Sequence, residues 1–200
     1  MNNYSLKFAK VKPKDEKKTE HIFKATLQLV KDKGVAGITM GEIASAAKIA
    51  TGTLYIYFKS KDELINALFT ECRKASAEIY FKDYDASLPF KTGFKVIWLN
   101  LMKFRTEHFE KAVFMDQCYH SPFITETTKH ITKEMMHPLY KLVERGKAEK
   151  IIKDADSFIL LTFMVGGINE FVKHSKYSGK KITKELIEQM FNLCWDGLKA

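Results

Sequence analysis

Residues 39–63 read TMGEIASAAKIATGTLYIYFKSKDE, and this stretch decides how the rest of the chain is organised. Thr39 stands just ahead of an apolar-periodic run, with Glu42 three residues on. That spacing predicts a capping box: the Thr hydroxyl takes one orphan backbone N–H, and the Glu carboxylate reaches back to the cap. Ile43, Ala44 and Ala47 line one face of a helix too short to stand alone. After Lys48-Ile49-Ala50 a second short helix is expected, Thr51 to roughly Tyr57, with Leu54 and Phe58 one turn apart and facing inward. The same spacing turns Thr51, Thr53, Tyr55 and Tyr57 partly outward, a row of hydroxyls with no role in a core. Ser60 and Glu63 predict a second capping box, with Lys61 and Asp62 in the first turn of a long helix. Two short helices joined by a tight turn form a helix-turn-helix pattern, in which the second helix enters the DNA major groove.

Working outward, composition agrees with a helical protein that meets an anion. The 200 residues are 46% apolar and 28% charged, ordinary globular material with length enough for a core. Four Pro and ten Gly favour helices over a loop-rich all-β fold. The net charge is +9, and residues 1–65 carry twelve Lys against seven acids, so the excess is concentrated around the helix-turn-helix. Phosphate binding with counterion release needs that distribution. Cys72, Cys118 and Cys194 are odd in number and lack metal spacing, and read as reduced thiols of a cytoplasmic protein. No apolar run approaches the ~18 residues of a membrane span, and the Lys-rich start lacks a signal-peptide core.

Three regions are expected: a basic arm over 1–14, a helix-turn-helix domain over 15–63, and a helical body over 64–200. The arm, with Lys7, Lys10, Lys12, Lys14 and Pro13, is a solvated tail or a strand that trails along a DNA groove. A first helix runs from about Asp15 to Lys33 and ends on Gly34, placed as a left-handed cap. In the body, helices are expected over 90–105 and 107–119. A further helical segment follows Pro122, a first-turn proline after His120-Ser121, and runs to Gly146 with either a kink or two abutting helices at Pro138. Asp156 caps a run, Phe158 to Val172, that is apolar on nearly all sides and therefore expected to be buried on all sides. Gly166 and Gly167 within it predict close approach of another backbone. A last helix starts near Thr183 and carries Met190 and Cys194.

The run from Thr39 to Leu64, extending back to Ile22-Phe23 and Gly34, resembles the DNA-binding head of the TetR family of bacterial transcription repressors. The match covers a quarter to a third of the chain and fixes many positions of different chemistry in order. Lys48 stands where the family usually has a small turn residue. Ala50 stands where a capping Ser or Thr is usual, so Thr51 caps instead or the helix start is weaker.

The resemblance implies an all-α repressor: a dimer, with a DNA-binding head and a helical body that binds a ligand. It assigns DNA contact to Thr39, Thr51, Gly52, Thr53, Tyr55, Tyr57 and Lys61; Lys48, a departure from the family pattern, is a further DNA-contact candidate on its own charge and position. It also implies dimerisation through a four-helix interface formed by the last two helices of each chain, with Gly166, Gly167, Met190 and Cys194 at the contact. No Arg lies in the second helix, so specificity would rest on hydroxyls, contacts with thymine methyls, Lys48 and DNA shape.

The body is rich in aromatic and thioether side chains, which suits a lining for an apolar small molecule, although each singly is equally a core residue. Trp98, Met102, Phe109 and Phe114 are candidates for that lining, as are Met115, Cys118, Phe163 and Phe171. His130, Glu134 and His137 share a helical face, but no second-helix ligand accompanies them, and a solvated stripe is the plainer reading. No cofactor is expected, and no catalytic set is legible: there is no GxSxG, HExxH or phosphate-binding loop. The rival to a repressor is a helical ligand carrier or enzyme with an architectural helix-turn-helix. The outward hydroxyls of Thr53, Tyr55 and Tyr57 argue against it.

Overall fold

The computed structural model describes residues 13–119 and 121–200. The basic arm expected over 1–14 falls outside them except for the backbone of its last two residues, as does His120. The described residues form ten helices and no strand beyond one isolated antiparallel bridge, Ile152 with Lys199. The chain divides into two compact units, Met1–Leu68 and Phe69–Ala200.

The first unit holds α1 (Pro13–Lys33), α2 (Met40–Ala46), α3 (Thr51–Tyr57) and the first turns of α4 (Lys61–Tyr80). Gly34 ends α1 at φ 74°, its N–H donating to the Val30 carbonyl at 2.8 Å. Ile22, Val30, Ile43, Leu54 and Leu64 are fully buried and form the unit's core. Phe58 closes it, its ring 5.8 Å from that of Phe23. No side chain caps α3: Ala50 holds the cap position with extended backbone, and Thr51 is already the first helical residue. At the start of α4 the expected box is half formed. The Ser60 hydroxyl accepts the Glu63 N–H at 3.1 Å, but the Glu63 carboxylate takes the N–H of Lys59 instead, at 2.7 Å.

The second unit completes α4 and adds α5 (Phe90–Glu107), α6 (Phe109–Tyr119), α7 (Glu126–Met135), α8 (His137–Ala148), α9 (Ser157–Ser178) and α10 (Lys184–Leu198). The hub is α9, which packs against α5, α8 and α10. An aromatic cluster of Phe90, Phe94, Trp98, Phe191 and Trp195 binds α5 to α10. Asp156 caps α9 and Thr183 caps α10, accepting N–H groups at 2.7 and 3.3 Å.

Several sequence expectations need correction here. Pro122 lies in a turn ahead of α7, and the helix begins four residues later at Glu126, capped by Thr125. At Pro138 the second of the two expected alternatives holds: two helices abut, and Pro138 sits in the first turn of the new one, where a missing N–H costs nothing. Gly146 does not end α8. It lies inside that helix because the Phe90 ring occupies the space a Cβ would need. The apolar helix α9 buries Leu160, Leu161, Met164, Ile168 and Val172, but Phe158, Ile159 and Phe163 remain open on its other side within one chain. Among the described residues of this one chain, a Cβ at Gly167 would meet the Met190 Cε at 3.0 Å, and one at Gly166 would meet nothing within 4 Å.

Candidate functional site

Two features of different chemistry stand out, one in each unit. The first is the outer surface of α3. Burying Leu54 and Phe58 leaves the opposite side of this two-turn helix in water: Thr51 and Gly52 are exposed, Tyr55 is 50% exposed and Ile56 is 83% exposed. Thr53 and Tyr57 are partly covered. Sequence reasoning missed Ile56, although its place off the Leu54–Phe58 side was readable. A large aliphatic side chain so exposed, among hydroxyls, suits contact with a thymine methyl.

The turn between α2 and α3 is set by Lys48, whose φ of 55° is left-handed, a conformation that costs a non-glycine residue roughly 1–2 kcal/mol. Its side chain is exposed. The Thr39 hydroxyl accepts the Glu42 N–H at 3.3 Å and donates to the Glu42 carboxylate at 2.8 Å, while the same carboxylate oxygen accepts the Thr39 N–H at 2.8 Å. Lys33 pairs with the other Glu42 oxygen at 2.7 Å. The Lys33 bond, joined by those from Thr39, holds the Glu42 carboxyl down at about 2. Lys61 donates to the Ala36 carbonyl at 3.2 Å, so it ties the loop before α2 to the start of α4.

The second feature is a cavity of about 480 Å³ in the second unit, walled by α4 to α9. Its size falls in the usual range for small-molecule sites. Leu101, Met115, Met136, Leu139, Leu161 and Val165 supply apolar wall. Arg73, Arg105, Lys129, Lys133 and Lys173 supply five cations, against the single carboxylate of Asp116. Arg105 grips Asp116 with both terminal nitrogens, at 2.7 and 3.0 Å, and Lys173 approaches the same carboxylate at 3.4 Å. Burial pushes the Arg73 guanidinium below its usual range, and the neighbouring Arg105 charge adds to that shift against the opposing effects of Tyr80, Tyr119 and Asp116.

Of the side chains assigned to the ligand from sequence, Met115 lines this cavity. Trp98, Met102, Phe114 and Cys118 are buried elsewhere in the unit's core. Phe109 packs edge-on against Tyr177 at 5.9 Å, Phe171 is partly covered outside the cavity wall, and the Phe163 ring fills the space over Gly197. Polar side chains of Asp116, Tyr119 and Asn169 also line the cavity. Among the dimer candidates, Gly166 borders the cavity, Gly167 faces Met190, and Cys194 is buried inside the chain's own core. Leu193 was missed; it is 69% exposed on α10. His130 and Glu134 lie on α7 but His137 opens α8, so the helix break interrupts their common face. Among the described residues no group of three His, Cys, Asp or Glu side chains is placed to hold a metal, and no helix is long and apolar enough to cross a membrane.

A helix-turn-helix on a larger all-helical unit with its own cavity defines a class, the helical transcription regulators. Residues 22–68 match the model of the bacterial regulatory proteins of the tetR family, and residues 89–199 match that of the tetracyclin repressor-like C-terminal domain. The chain belongs to the TetR family of transcriptional regulators. It is 25% identical over 180 residues to an uncharacterized HTH-type transcriptional regulator of Haemophilus influenzae, a match covering 90% of this chain and 95% of that one. Among solved structures it is similar to a TetR family transcription regulator from Marinobacter aquaeolei VT8. That likeness has a TM-score of 0.85 at 26% identity and covers 93% of this chain and 97% of the other. The TetR-family regulator HI0893 of Haemophilus influenzae shares the fold at a TM-score of 0.78 and 21% identity, over 94% of this chain and all of that one.

Proposed function

We propose that this regulator is a ligand-responsive repressor that binds a near-palindromic operator as a homodimer in the cytoplasm and is released by a small molecule held in its body. The observation that carries the DNA reading is the outer side of α3, where Tyr55 is 50% and Ile56 83% exposed. In this reading Thr51, Thr53, Tyr55, Ile56 and Tyr57 meet base edges and phosphates. Thr39, Lys48, Gly52 and Lys61 approach the backbone. The two copies of α3 enter successive major grooves roughly 34 Å apart. The open apolar side of α9, with Leu193 of α10, supports pairing with a second copy through a four-helix contact. A ligand that binds the released state better weakens DNA binding, and DNA weakens the ligand by the same factor.

The test is selection from random duplexes at near-physiological salt, with wild type beside Tyr55→Phe and Ile56→Ala variants. Enrichment of a near-palindrome by wild type, with affinity reduced about tenfold in Ile56→Ala, is the expected result, since a base contact is worth about 1–3 kcal/mol. Failure of wild type, stripped of bound ligand, to enrich any sequence would sink the reading.

A further inference from the structure

The electrostatics of the cavity are unbalanced in a way the chain does not resolve by itself. Arg105 is 7% exposed, and its Nε–H is buried without a partner among the described residues even though both terminal nitrogens are bound to Asp116. The side-chain oxygen of Asn169, which lines the same cavity, is also buried without a partner among the described residues. Two hydrogen-bonding positions in this wall are therefore left unfilled, and buried polar groups are ordinarily satisfied. Arg73 lines the same cavity as Arg105, and Asp116 supplies the single carboxylate of that lining. Lys129 and Lys173 have carboxylates of their own in Glu126 and Glu170, but both of these are well exposed and neither lines the cavity. Two guanidiniums in a partly dry wall that holds a single carboxylate, already gripped by one of them, favour a further anion. The remaining wall, Leu101, Met115, Leu161 and Val165, is hydrocarbon and suits a chain.

We propose that the cavity binds an anionic amphiphile, its charged head seated between Arg73 and Arg105 and its hydrocarbon along α5, α6 and α9. The inference rests on the ligand-responsive reading and narrows it, from an apolar molecule to one with an apolar tail and a single-ended negative charge. Carboxylate and phosphate heads share the required chemistry.

The experiment is titration calorimetry on the full-length protein stripped of bound lipid, with dodecanoate, dodecyl phosphate, dodecanol and dodecyltrimethylammonium. One of the two anions should bind at least tenfold more tightly than dodecanol, with the cation weakest. Whichever anion is tighter identifies the head. Arg73→Met should abolish that tenfold preference and leave the Kd for dodecanol within twofold. Arg73 is the variant of choice because it stands outside the Arg105–Asp116 ion pair; an unchanged circular dichroism melt checks its fold. Equal binding of anion and alcohol, equal weakening of both by Arg73→Met, or no binding by any of the four overturns the inference. Operator binding, measured in parallel, separates the two readings. Dodecanol that binds and releases DNA would keep the ligand-responsive repressor and remove the anion. An anion that binds without affecting DNA would do the reverse.

Discussion

Arg105 on α5 holds Asp116 on α6 side-on through two hydrogen bonds of 2.7 and 3.0 Å, and it is far more deeply buried than its partner. The asymmetry decides which substitution hurts more. Arg105→Met leaves Asp116 part-exposed and still beside Lys173. Asp116→Leu leaves a buried guanidinium with no carboxylate in contact. Removing one partner of a buried pair costs about 3–5 kcal/mol. Asp116→Leu should therefore approach that range in urea unfolding, Arg105→Met should fall below it, and the double variant should recover part of the loss.

Glu42 gives the first unit a pH dependence of known sign. Its folded carboxyl is held down at about 2, below the ordinary glutamate value of 4.5, mainly because of Lys33 and then Thr39. A depressed carboxylate stabilises the fold fully above its unfolded value, and that contribution is lost as pH falls from about 4.5 towards about 2. The difference in urea midpoint between wild type and Glu42→Gln should be constant above pH 5 and shrink through this window. A difference independent of pH would show that the carboxylate charge has no part in the cap.

Lys48→Gly separates stability from DNA binding. Glycine adopts the left-handed turn without steric penalty, so the variant should gain up to about 1 kcal/mol by chemical denaturation. If Lys48 meets a phosphate, the same change weakens all duplexes alike and reduces the salt slope of binding by about one. Unchanged salt dependence would remove Lys48 from the interface.

Two glycines in neighbouring helices should respond oppositely to alanine. At Gly146 the new methyl would run into the Phe90 ring, which is itself held by Phe94 and Trp195. Overpacking of this kind costs about 1–3 kcal/mol. At Gly166 nothing lies within 4 Å and the helix gains up to about 1 kcal/mol of propensity. Thermal melts of Gly146→Ala and Gly166→Ala should therefore move down and up.

The helical elements of the first unit were legible because local rules fix them: the Thr39–Glu42 box, Gly34 at a helix end, and Leu54 with Phe58 on one side. What local rules could not give was which aromatic residues of the second unit would be core and which would line a cavity. Trp98 and Phe114 have the same composition signal as a pocket lining, and only the packing of α5 against its neighbours buries them. The cationic wall was equally hidden, because Arg73, Arg105 and Lys173 lie on three helices far apart in sequence. Gly146 misled because a glycine after basic residues looks like a helix end; the ring that explains it comes from residue 90.

The division between the two compact units, after Leu68, falls within the uninterrupted helix α4. A protease used to map this molecule would find no slack connecting peptide there, since cleavage needs backbone that can leave its helix. Expression boundaries chosen at the division itself would sever hydrogen bonds on both sides of the cut. A fragment meant to report on DNA binding alone should therefore run to Tyr80, where the helix ends of its own accord.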